Sequence, residues 1–315
     1  MDTSLNNFNL AEFQFILMAL DGISLPVYKG STLRGGFGVA FKRIVCVNRD
    51  KVCDSCLLKG KCVYSYVFET PPPSDTSKMR KYPFAPHPYI ITPPLEKNRI
   101  YKKGEPLCFD LTLVGKSIDY LPYFIYTFDE LGKIGIGKGR GSYQLEEVKS
   151  QGETIYSSRT KTLKNNYKTI RIKDLSPSIP QSSVLHITFL TPTRLKFDGK
   201  LTPTLEFHVL IRNLLRRISL LSYFHCGEEL NLDFKGIIEK SQDVAMTKSE
   251  LSWIDWERYS NRQETKMKMG GFMGSVTYSG DFDPFLPFIL LGEHIHVGKG
   301  TSFGLGKYKV IRGSE

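Results

Sequence analysis

The chain has 315 residues, 41% of them hydrophobic, which suits two folded domains of about 100 to 150 residues each. No apolar run reaches the roughly 20 residues that span a bilayer, and Met1 to Leu10 lacks the basic and apolar regions of a signal peptide, so a cytoplasmic, non-membrane protein is expected. Lys plus Arg outnumber Asp plus Glu by 43 to 32, a net charge of +11 that favours polyanions, nucleic acid first, because neutralised phosphates release counterions.

In chain order, Glu12 to Leu20 reads as a strand, and Ser31 or Thr32 is expected to cap a helix with Leu33, Phe37, Phe41 and Ile44 on one face. A Cys-rich and Pro-rich insertion follows. Leu107 to Val114 alternates as a strand, Leu121 to Leu131 reads as a helix and Ser142 to Val148 as a strand. The second half repeats this order. Val184 to Leu190 is a strand and Thr204 to Phe224 a long helix with Phe207, Leu210, Ile211, Leu214, Ile218 and Leu221 toward the core. Strands at Leu251 to Tyr259 and Phe272 to Tyr278, a helix at Leu286 to Leu291 and a strand at Lys307 to Ile311 complete it. The expected fold is α+β: two tandem ferredoxin-like (RRM-like) βαββαβ domains, 1–150 and 181–315, with a Cys-rich insertion at 46–62 and a basic connecting segment over 151–180.

The halves also share words. Gly115-x5-Leu121-Pro122 returns as Gly280-x5-Leu286-Pro287, Leu131-Gly132 as Leu291-Gly292, and Gly137-Lys138-Gly139 as Gly298-Lys299-Gly300. A tandem duplication is expected. The second turn is richer in glycine, adding Gly304 and Gly306, and such glycines can form anion-binding nests beside the point charge of Lys299. Lys138 and Arg140 mark the first copy, which reads as mainly structural. His208, Arg212 and Arg216 recur at i, i+4 and i+8 on the long helix, an arrangement able to meet a phosphate. Arg34 lies among Gly35, Gly36 and Gly38, whose low helix propensity calls for close packing or contact with RNA.

Cys46, Cys53, Cys56 and Cys62 crowd a short Lys-rich stretch. In a reducing compartment such a cluster favours metal over disulfides, so a structural zinc is expected, with an iron–sulfur cluster as the alternative.

The run Gly271-Phe272-Met273-Gly274-Ser275-Val276-Thr277-Tyr278-Ser279-Gly280, followed by Val297-Gly298-Lys299-Gly300-Thr301-Ser302-Phe303-Gly304-Leu305-Gly306, resembles the C-terminal domain of the CRISPR-associated RNA-processing endoribonucleases (Cas-six type, RAMP superfamily). Tyr28-Lys29-Gly30-Ser31-Thr32-Leu33-Arg34-Gly35-Gly36-Phe37-Gly38 and Ala85-Pro86-His87-Pro88-Tyr89 are similar to the same group. The resemblance implies a CRISPR-repeat RNA endoribonuclease of antiviral defence that cuts precursor transcripts into guide RNAs by attack of a 2′-hydroxyl, with no cofactor for catalysis. It also implies effector-complex subunits as partners. An inactive RNA-binding subunit of such a complex is the alternative. The family's catalytic residues gather around the first helix, where this chain has no histidine before His87; Tyr28, Lys29 and Lys42 are the candidates there. His87, stiffened by Pro86 and Pro88, is the candidate for proton transfer.

Overall fold

A computed structural model describes residues 5–48, 52–175, 182–202, 204–260 and 265–312. The chain forms two units. The first takes residues 8–170 together with 220–228, and the second takes 1–7, 171–219 and 229–315.

In the first unit the elements are β1 (Asn9–Ala19), α1 (Gly30–Val45), β2 (Tyr89–Thr92), β3 (Pro106–Val114), α2 (Leu121–Ile134), β4 (Tyr143–Ser150) and β5 (Glu153–Ser157). The antiparallel sheet runs β2-β3-β1-β4-β5. Along β1 the buried Phe13, Phe15, Leu17 and Ala19 alternate with less buried neighbours, giving the sheet one core face. Leu33, Phe37 and Phe41 of α1 are buried, and Phe37 stacks on Phe124 of α2 with ring centroids 4.7 Å apart. Pro122 sits in the first turn of α2, where a missing N–H leaves no bond unmade. A Cβ on Gly38 would collide with the Phe68 ring and one on Gly36 would press on Leu131 at 3.1 Å, so these two glycines serve packing, whereas Gly35 faces open space.

Two details depart from expectation. No side chain caps α1, which begins at Gly30 with Lys29 at the N-cap rather than at Ser31 or Thr32. Its partner strand β2 carried no alternation signal, because Tyr89, Ile90, Ile91 and Thr92 are all buried.

The second unit holds β6 (Val184–Thr193), α3 (Phe207–Leu221), β7 (Ala245–Ile254), β8 (Gly271–Ser279), α4 (Leu286–Ile295) and β9 (Tyr308–Arg312). Its sheet order, β7-β8-β6-β9, repeats β2-β3-β1-β4 of the first unit. Each unit is a ferredoxin-like βαββαβ fold. All six apolar positions expected on the core face of α3 are buried.

The repeated phrases perform the same work twice. Lys138 donates its N–H to the Ser24 carbonyl at 2.9 Å, and Lys299 donates to Arg194 at 3.0 Å. Ile136 and Val297 close their turns onto Gly141 and Gly306, each at 3.0 Å. Gly137 and Gly298, at φ 73 and 88°, let the turn approach the backbone after the first strand; a Cβ on Gly298 would lie 2.5 Å from the Arg194 carbonyl oxygen. Tyr143 and Tyr308, first residues of β4 and β9, donate their hydroxyls to Phe128 and Ile289 at 2.8 and 2.6 Å. Duplication is thus visible bond by bond.

Candidate active site

Between α1 and β2 the insertion makes a π-helical turn at Ser65–Glu69, ended by Thr70 in the left-handed region at φ 50°. Single π turns often mark functional sites. Here the turn delivers Phe68 and Thr70 to His87. The Thr70 hydroxyl donates to the Val67 carbonyl at 3.2 Å, so at 2.8 Å it accepts from Nδ1–H of His87. That assignment leaves Nε2 as the acceptor in neutral imidazole, and it faces Arg34 Nη2 on α1 at 3.3 Å. The Arg34 guanidinium lies 4.4 Å from the centre of the Phe68 ring. The imidazole also lies near-parallel to Phe68 and to Tyr89, with centroids 6.5 and 5.7 Å away. Arg34 and His87 are both half-buried, within reach of a substrate.

The segment before His87 is braced. His225, buried in the 220–228 segment, donates Nε2–H to the Pro86 carbonyl at 2.7 Å, and Nδ1 accepts from the Tyr66 hydroxyl at 3.2 Å. Burial raises the Tyr66 pKa, with smaller contributions from Tyr120, Cys226 and Asp119, so the phenol stays a donor. His225 lies within a second π-helical turn, Ser222–Cys226.

The three candidates around α1 have other surroundings. Burial raises the Tyr28 phenol. Lys29 is fully buried and donates Nζ to the Glu96 carbonyl at 2.8 Å; burial lowers its pKa against a smaller raising effect of Glu96. Lys42 lies with Nζ 5.4 Å from the Tyr64 ring centre.

In the second unit Lys299 is exposed at the tip of the glycine-rich turn. The N–H groups of Val297, Lys299, Phe303, Gly304 and Gly306 are engaged with carbonyls of the turn and of β6 and its end. Gly300 and Gly304, at φ 76 and 83°, bound a short 3-10 turn, so these glycines shape the loop and its side-chain charge faces solvent. Lys138 and Arg140 are likewise exposed in the first unit. Arg212 and Arg216 are exposed on α3 and His208 is half-buried; Arg212 and His208 share the Phe197 ring.

Beneath the turn, His296 is buried and donates Nδ1–H to the Leu305 carbonyl at 3.2 Å. Burial, then the charges of Lys307 and Arg217, push its pKa down to about 3. Arg217 donates Nε–H to the Ile295 carbonyl at 2.8 Å, and burial pushes its pKa down to about 9. These two buried groups hold the turn, a role the sequence did not disclose.

The thiols of Cys46, Cys53, Cys56 and Cys62 are free, and among the described residues no group of three or more Cys, His, Asp or Glu is gathered to hold a metal. The metal expectation is therefore unsupported. Cys53 and Cys62 pack on the apolar core and Cys46 Sγ donates to the Asn48 carbonyl at 3.5 Å. Successive turns, Cys56 N–H to Cys53 and Lys59 N–H to Cys56, fold the stretch.

Residues 8–168, just over half of the chain, match the AF_1859_N N-terminal domain model, and residues 187–308 match the model of the CRISPR-associated endoribonuclease Cas6. An uncharacterised protein of Archaeoglobus fulgidus is 26% identical over 292 residues, covering 91% of this chain and 92% of that protein. Thermus thermophilus Cas6 superposes with a TM-score of 0.55 at 16% identity, over 96% of this chain and 99% of its own. A Cas6 product complex gives 0.57 at 16% identity, over 96 and 100%. A partial Cas6-RT-Cas1–Cas2 complex gives 0.59 at 13%, over 98% of this chain and 47% of that one. At such identities the superpositions speak to the fold. The family models carry the rest: the chain is of the class of CRISPR RNA-processing proteins built from two ferredoxin-like units. It belongs to the AF_1859 N-terminal-domain family, and its residues 187–308 carry the domain that the model of the CRISPR-associated endoribonuclease Cas6 describes.

Proposed function

We propose that this chain binds CRISPR repeat RNA and cleaves the precursor transcript by metal-independent attack of a ribose 2′-hydroxyl. The observation that carries the reading is the Arg34–His87–Thr70 arrangement on the first unit. Thr70 holds His87 as the tautomer with a lone pair on Nε2, the atom that takes the 2′-hydroxyl proton. The 2′ oxygen then bonds to phosphorus, the bond from phosphorus to the 5′ oxygen breaks, and that oxygen leaves with a proton from water. Arg34, beside Nε2, meets the charge growing on the phosphoryl oxygens. The exposed cations Lys299, Arg212 and Arg216 hold phosphates of the repeat. His87 thus takes the proton and Arg34 meets the charge, while water protonates the leaving oxygen.

The test is cleavage of labelled repeat RNA in EDTA, with a 2′-deoxy substitution at the cut site as control. Cleavage that needs added metal, or that persists on the deoxy substrate, overturns the mechanism.

A second reading, an RNA-binding subunit that holds the guide without cutting, is favoured by the burial of Lys29, whose Nζ is engaged with the Glu96 carbonyl, which removes one expected catalytic group from easy reach. Tight binding of repeat RNA with no cleavage by the wild type would establish it.

A further inference from the structure

The stretch after β5 carries Arg159, Lys161, Lys164 and Lys168 with no acidic residue among them, and all four are exposed. It is a stitched hairpin rather than a loose connection. Lys161 donates its N–H to Ser157 at 2.9 Å, Lys164 to Ile155 at 2.8 Å, and Tyr156 bridges Leu163. Tyr156, Leu163 and Tyr167 pack on the first unit's core, with the Tyr167 ring edge-on to Phe13 at 5.2 Å.

Two features of this hairpin bear on binding. Among the described residues no carboxylate pairs with any of its four cations, so four like charges stand together uncompensated. Lys161 also adopts φ 52°, a left-handed conformation in which glycine or asparagine would be less strained. Mutual repulsion among the four cations opposes folding, and it is offset once an extended anion lies along the hairpin.

We infer that this hairpin is a docking surface for the phosphate backbone of single-stranded RNA, outside the Arg34–His87 cluster; this rests on the reading that the chain binds RNA. Its tyrosines are half-buried and packed against the core, so the four cations dominate its exposed surface and recognition is of charge rather than sequence. No large apolar side chain of the hairpin is exposed for insertion into a lipid surface, which favours RNA over an anionic membrane.

The experiment measures the affinity of the full chain for repeat RNA with a single-stranded extension across a salt series. The variants are Lys161→Gly and the quadruple Arg159→Ser, Lys161→Gly, Lys164→Ser, Lys168→Ser. The quadruple variant is expected to lower the slope of log affinity against log salt by about 3 and to weaken low-salt binding by roughly a hundredfold. Its cleavage rate at saturating protein should match the wild type. Lys161→Gly is expected to bind about threefold more weakly while its Tm rises by about 2 °C, a combination that a purely structural lysine would not give. An unchanged slope with wild-type RNA binding intact overturns the hairpin proposal alone. So does unchanged RNA binding with lost affinity for phosphatidylserine vesicles. A wild type that binds no RNA overturns both this proposal and the reading beneath it.

Discussion

At the scale of single residues, the chemistry is concentrated in His87 and Arg34, which are 53 positions apart and meet at 3.3 Å. His87→Ala is expected to slow cleavage by about a hundredfold or more with repeat affinity nearly unchanged, measured in single-turnover assays. Arg34→Lys should lose much of the rate as well, because a point charge does not reproduce a planar guanidinium stacked on Phe68. The sequence marked His87 through its flanking prolines and Arg34 through its glycine neighbours, but their pairing depends on a tertiary contact that local pattern cannot express. Thr70 was silent for a related reason: its role comes from the left-handed turn that ends the π helix. His296 offers a different measurement. Its folded pKa of about 3 lies below the ordinary 6.5, so the unfolded chain binds the extra proton between these values. The stabilisation is complete above pH 6.5 and is lost as pH falls toward 3, by roughly 3–5 kcal/mol. Denaturant titrations from pH 7 to 4 should show this loss, and His296→Asn should flatten it.

Among elements, the paired turns are the most telling feature. Gly298→Ala must fit a Cβ 2.5 Å from the Arg194 carbonyl at φ 88°, and should cost about 1–3 kcal/mol in thermal unfolding, with RNA affinity reduced through displacement of Lys299. Gly137→Ala should cost a similar amount with a smaller effect on RNA, since its copy is tied to Ser24 without Arg217 and His296 beneath it. The order of strands and helices was legible where strands such as β1 alternate and helices such as α3 carry one apolar face, whereas β7 is exposed along most of its length and does not alternate. The phrases shared by the halves anticipated the shared hydrogen bonds. Where burial is complete, as in β2, alternation vanishes and the strand escaped notice. The start of α1 escaped too, because Ser31 and Thr32 suggested a cap that the chain does not use.

For the molecule as a whole, charge and repeats were readable from the sequence, whereas the cysteine spacing finds no support in a gathered ligand group among the described residues. Cys53 and Cys62 pack against the core and successive turns fold the stretch. Dialysis against EDTA followed by thermal unfolding decides the matter: a clear fall in Tm places a metal in the insertion, and an unchanged Tm removes it. No helix among the described residues is long and apolar enough to cross a membrane.

The assignment of residues 220–228 to the first unit has a consequence for how the gene can be handled. A coding sequence split near residue 175 would yield an N-terminal fragment without His225, leaving the Pro86 carbonyl and the Tyr66 hydroxyl without the imidazole that joins them. Expressed as separate halves, the two repeats would not be independent modules: the first would need nine residues, 220–228, encoded within the second before its histidine stood firm.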